Sequence, residues 1–140
     1  MVDTADMGAW GIGVFENDGA GDFLAQLRHT AAADRGALVR ETLAEAADEE
    51  DYVDRDVAQA AVAAAAVVAA AHAGTALDDP TGAVPATDLP PTDPTLVSLA
   101  LRALDRVEAE DSEWRELWEE ADSFDDAAAT LDELRATLSP

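Results

Sequence analysis

The chain contains no cysteine, so it can form neither a disulfide framework nor a thiolate metal site. It contains no lysine: all eight basic residues are arginine, set against 31 Asp and Glu, and the formal charge is -23. Phosphate binding needs a basic patch, which makes nucleic acid a poor ligand, and an anionic membrane surface repels the chain for the same reason. The longest apolar run, Ala60 to Ala71, falls short of the roughly 20 residues of a bilayer span and is mostly alanine. Met1 to Asp6 carries two aspartates and no basic residue, the wrong start for a signal peptide. Val, Ile and Tyr nowhere alternate over five residues, so nothing reads as strand. No repeat period is visible. Together these absences point to an all-α protein of a reducing cytoplasm.

What is present suits one domain. A chain of 140 residues can bury a core without staples. The arginine-only, Asp- and Ala-rich composition has two open origins, a GC-rich genome or a salt-rich cytoplasm, and both point to a prokaryote. At low ionic strength this much like charge repels itself and weakens the fold. At about 1 M salt the screening length shrinks to ~3 Å.

The spacing predicts a single bundle of five to six helices with an ordered Gly/aromatic arm before it. Residues 1–6 read as a flexible extension and 7–140 as the helical domain. Gly8, Gly11 and Gly13 alternate with Trp10, Ile12 and Phe15, a non-helical pattern whose aromatics are expected to plug into the core. Asn17 and Asp18 are N-cap types. Ala20, Phe23, Leu24, Leu27 and Ala31 then recur on one helical face. A second helix is expected from about Asp34 to Ala47, fused to the first or separate, and the acidic run Asp48 to Asp51 ends it. Tyr52 and Val53 lead to a third, with Asp54 and Asp56 at its positive end. Val57 to Ala71 is apolar on every side except Gln59, the mark of a buried helix, and Gly74 is a C-terminal stop. Residues 75–92 hold five prolines and glycines and form the one clear loop. Asp93-Pro94 opens the fourth helix. A short helix begins at Asp111 or Ser112, with Trp114, Leu117, Trp118 and Ala121 on one stripe. Ser123 and Asp126 form a weakened capping box for the last, which turns Phe124, Ala127, Leu131, Leu134 and Leu138 inward.

No motif commits the chain to a chemistry. The glycines from Gly8 to Gly13 lack the preceding strand and following helix of a dinucleotide loop. Glu16 to Asp22 resembles a calcium loop, but Ala20 and Leu27 fall where ligands belong. His29 and His72 lie on different helices with no partner histidine one turn away. No serine stands in a nucleophile elbow. With 31 acids, no carboxylate pair can be singled out. No catalytic residue, cofactor or metal site is therefore assigned.

Met7-Gly8-Ala9-Trp10-Gly11-Ile12-Gly13-Val14-Phe15-Glu16-Asn17-Asp18, with Ala20, Asp22 and Phe23 after it, resembles the opening of the domain of unknown function 4259 family. Gly8, Trp10, Gly11, Phe15, Asn17 and Asp18 carry that structural motif. Tyr52 ahead of an alanine-rich helix ending Val67-Val68-Ala69-Ala70, and Ser112 to Glu120, are weaker echoes. Ala66 departs from the family, which often has Glu before the Val-Val pair. The resemblance implies a small bacterial-type helical protein and no reaction.

The leading expectation is a non-enzymatic acidic interaction module, inhibitor- or immunity-like, that binds a basic protein. Its candidate surface is Glu113, Glu116, Glu119, Glu120, Asp122, Asp125 and Asp126, expected to point outward or lie on the connecting turn with Arg115 their only cation. One alternative is a small-ligand binder or enzyme with a pocket beside Trp10 and Phe15. Another is that the acidity serves salt adaptation alone. Oligomeric state has no sequence signature here.

Overall fold

A computed structural model describes residues 18–77 and 89–139. The motif residues Gly8, Trp10, Gly11, Phe15 and Asn17, and the expected burial of the arm, lie outside the described residues, as does most of the proline-rich loop. The described elements are α1 (Asp18–His29), a single 3-10 turn (Ala32–Asp34), α2 (Arg35–Ala47), α3 (Arg55–Ala73), α4 (Pro94–Glu108), α5 (Glu113–Glu120) and α6 (Phe124–Leu138). Among the described residues there is no strand, only one isolated parallel bridge between Val53 and Ser112. The chain is an all-α bundle.

α3 is its axis. It packs against α1, α2, α4, α5 and α6, and Ala58, Gln59 and every residue from Ala61 to Ala70 are buried. Alanine makes this possible, because a side chain of one carbon lets neighbouring backbones come close while the helix keeps the best intrinsic propensity. α3 also has the length and hydropathy of a membrane span: 19 residues, longer than the apolar run read from the sequence, with 67% of its apolar window covered by the other helices.

The helix boundaries follow local chemistry. Gly74 ends α3 at φ 70, the left-handed conformation that only glycine adopts freely. Asp93 accepts a 2.8 Å hydrogen bond from the Leu96 amide, with Pro94 at the first helical position. α1 and α2 are separate. α1 stops at His29, so Ala31 is exposed instead of continuing the inner face as expected. Arg35 then closes the corner, its Nε donating to the carbonyls of Leu27 and Thr30 at 3.2 and 3.1 Å. The capping box expected at α6 does not form. Ser123 makes no cap bond, and its hydroxyl donates back to the Ala121 carbonyl at 3.3 Å.

Phe23, Leu24, Leu43, Leu104, Leu131 and Leu138 fill one continuous core around α3. Burying each such side chain contributes roughly 1.5–3 kcal/mol before the entropy of ordering it. Leu117, Phe124 and Leu134 sit at the rim, half-buried.

Candidate interaction surface

Two connections meet at the N-terminal end of α3. One joins α2 to α3 (residues 48–54), the other joins α4 to α5 (residues 109–112). The Val53 amide donates to the Asp111 carbonyl at 3.0 Å, and the Glu113 amide donates to the Val53 carbonyl at 2.9 Å. Val53 and Ser112 are buried at this junction. Their polar neighbours cannot follow them into an apolar core, so Asp51, Tyr52, Asp54, Glu110 and Asp111 stay exposed around the seam.

Arg106, on α4, braces the seam from the side. Its Nε donates to the Glu49 carbonyl at 2.8 Å and its two Nη atoms to the carbonyls of Asp51 and Asp111 at 2.6 and 3.2 Å.

Tyr52 stands out from this frame, 42% exposed, the one large apolar side chain exposed among the described residues. Its hydroxyl donates to Glu116 Oε2 at 2.5 Å. That hydrogen bond first, then the loss of hydration and the negative charge of Glu116, Glu113 and Asp54, push its pKa up from 10.0 to about 12. A phenolate here would face carboxylates from two elements.

The seven candidate acids divide by their place on α5, the turn after it and the first turn of α6. Glu113 does not point freely outward. It is half-buried, and its Oε1 accepts from the Arg55 amide at 2.7 Å, so it caps α3 across the junction. Asp54, at the N-cap position itself, makes no such bond. Glu116 is held by Tyr52. Glu119 lies on the other flank and pairs with Arg115 Nε at 3.1 Å. Glu120, Asp122, Asp125 and Asp126 are exposed, with no ion pair among the described residues. Trp114 and Trp118 are buried, as their stripe implied, and Trp114 meets the Phe124 ring edge-on at 6.2 Å.

Of the group, Arg115 pairs with Glu119 alone. Its guanidinium stacks over Phe124 at 4.5 Å and donates through Nη1 to the Glu108 carbonyl at 2.9 Å. Arg135 on α6 pairs with Asp105, Glu108 and Asp132 at 2.9–3.0 Å. Burial works against its charge, but those three carboxylates outweigh it and raise its pKa.

Among the described residues no group of three or more His, Asp or Glu converges to hold a metal ion. A pocket beside Trp10 and Phe15 would fall outside the described residues. A different cavity, about 410 Å³, opens at the far end of α3 between His72, Thr92, Val97, Leu101 and Leu138. The Thr92 hydroxyl is buried there without a hydrogen-bond partner among the described residues.

Sequence reasoning missed Tyr52 and Arg106. Tyr52 interrupts an acidic run, a signal that reads equally well as solvated linker. Arg106 is one arginine on a polar helix face, and no spacing marks it.

The chain belongs to the family described as Domain of unknown function (DUF4259), whose profile matches residues 8–131. No curated protein and no solved structure matches it.

Proposed function

We propose that the chain is a non-enzymatic module that binds a basic protein, and that it does so with the anionic end of the bundle centred on Tyr52. One observation carries this reading: the lone exposed aromatic among the described residues stands among carboxylates. A tyrosine ring offers rigid apolar contact and a π face for a guanidinium or ammonium group. The surrounding charge steers a cationic partner and raises its on-rate. Glu116 and Glu120 share the flank of α5 nearest Tyr52, and Asp122, Asp125 and Asp126 follow in the turn after α5 and the first turn of α6. An inhibitor- or immunity-like role in a prokaryotic cytoplasm fits such a surface.

Salt adaptation is the competing reading. It is favoured by exposed acids outside the candidate surface, among them Asp22 on α1, Glu41 and Glu45 on α2, and Glu133 on α6. The two readings differ on whether position matters or only charge.

An arginine-rich peptide, titrated against the full chain over a potassium chloride series, separates them. Tyr52→Ala, which leaves net charge unchanged, should weaken binding about tenfold with little change in salt slope. Reversal of Glu116, Glu119 and Glu120 to Arg should reduce both affinity and slope. Equal losses from reversing Asp22, Glu41 and Glu45 would leave salt adaptation as the answer.

A further inference from the structure

We infer that Arg106 is the positioning residue of the Tyr52 surface: by bridging three main-chain carbonyls from two connections, it holds Tyr52 against Glu116. The inference rests on the reading of that surface as a docking site, but its own geometry is independent of any partner.

Tyr52 has no helix of its own to hold it. Its neighbours are fixed instead. The Asp51 carbonyl accepts from Arg106 at 2.6 Å, and the Val53 amide donates to the Asp111 carbonyl, which also receives Arg106 Nη1. Nε on the Glu49 carbonyl, at 2.8 Å, anchors the connection two residues further back. The backbone on both sides of Tyr52 is thus pinned, while its ring faces outward and its hydroxyl reaches Glu116. Arginine suits this task because its planar fork presents several donors in fixed directions. A lysine ammonium cannot span three carbonyls so placed.

The placement has an electrostatic consequence. Arg106 forms none of the ion pairs among the described residues. It grips the carbonyls of Glu49, Asp51 and Asp111 and leaves their carboxylates outside. The connection is made rigid without being made neutral, and a preordered anionic surface loses less entropy on binding than a loose one.

The test is Arg106→Lys, which preserves net charge. Tyr52 is the only tyrosine in the chain, so phenolate absorbance reports it alone. In the variant its midpoint should fall from about 12 toward 10.0, as it should in Glu116→Gln, where the carboxylate itself is removed. Amide exchange at Val53 and Glu113 should quicken about tenfold, with the centre of α3 still protected. Arg102→Lys, altering the exposed pair with Asp48, should change neither. An unshifted Tyr52 midpoint overturns the inference, and so does protection lost equally across α3, which would make Arg106 a general structural residue. The arginine-rich peptide should bind the variant about tenfold more weakly at an unchanged salt slope. A shifted midpoint with undiminished peptide binding would uphold Arg106 as the positioning residue and remove the docking reading.

Discussion

Gln59, within the apolar stretch of α3, reaches across to α1, where its side-chain Oε1 accepts a 3.1 Å hydrogen bond from the Gly19 amide. That amide lies in the first turn of α1, where backbone donors have no partner within the helix. Gln59 is 5% exposed, so the one buried polar residue of the central helix acts as a cap supplied by a neighbour. The close approach requires glycine. A Cβ at position 19 would come within 2.7 Å of both Gln59 Cβ and Oε1 and 3.2 Å of the Asp56 carbonyl.

Gly19→Ala should therefore destabilise the fold, although alanine is the better helix former. Overpacking costs of this kind are about 1–3 kcal/mol. Gln59→Leu should cost about 1–2 kcal/mol by leaving the Gly19 amide without its buried acceptor. Urea unfolding measures both. A Gly19→Ala variant as stable as the parent would show that α1 and α3 are not in this contact.

The Tyr52 phenol sets a pH window. Its pKa is raised in the folded chain, to about 12 from 10.0, so the folded state holds the proton more tightly than the unfolded state. Its contribution to stability is complete below the unfolded value and is lost as pH rises toward the folded one. Urea midpoints should fall across the interval from 10 to about 12, and Tyr52→Phe should flatten that fall. A parent and variant that decline in parallel would dismiss the hydrogen bond to Glu116 as its source.

Asp122 occupies the left-handed region at φ 56, just after α5. Its place is that of the glycine which commonly follows a helix, and the Ser123 amide donates back to the Trp118 carbonyl at 2.9 Å. Aspartate tolerates this backbone at some cost. Asp122→Gly should stabilise the chain by about 0.5–1 kcal/mol, while Asp122→Ala should not. Thermal melts that rank the two alanine-first would contradict the conformational argument.

Screening should strengthen the fold. With a formal charge of -23 and few exposed ion pairs among the described residues to lose, relief of repulsion outweighs the weakening of those pairs. The melting temperature should rise between dilute buffer and about 1 M potassium chloride. A melting temperature that stays flat or falls would mean that repulsion among the carboxylates is not limiting.

The helices were legible because their signals are local. The spacing of Phe23, Leu24 and Leu27, the all-apolar stretch of α3, Gly74 as a stop and Asp93-Pro94 as a start each act within a few residues. Helix formation uses bonds between near neighbours, so sequence alone determined where most of the helices lie, which faces they bury and that the molecule is strongly anionic. Long-range pairing has no such local signature. That Gln59 caps α1, that Glu113 rather than Asp54 caps α3, that Ser123 forms no capping box, and that Arg106 ties two connections together are all tertiary outcomes. The separations involved are 40 residues for Gln59 and Gly19 and 64 for Tyr52 and Glu116. Composition decided that acids would be abundant. Only the packing of α4 and α5 against the start of α3 decided which carboxylates surround an exposed ring and which are used to hold the bundle, because a carboxylate's role depends on the donor the fold brings to it.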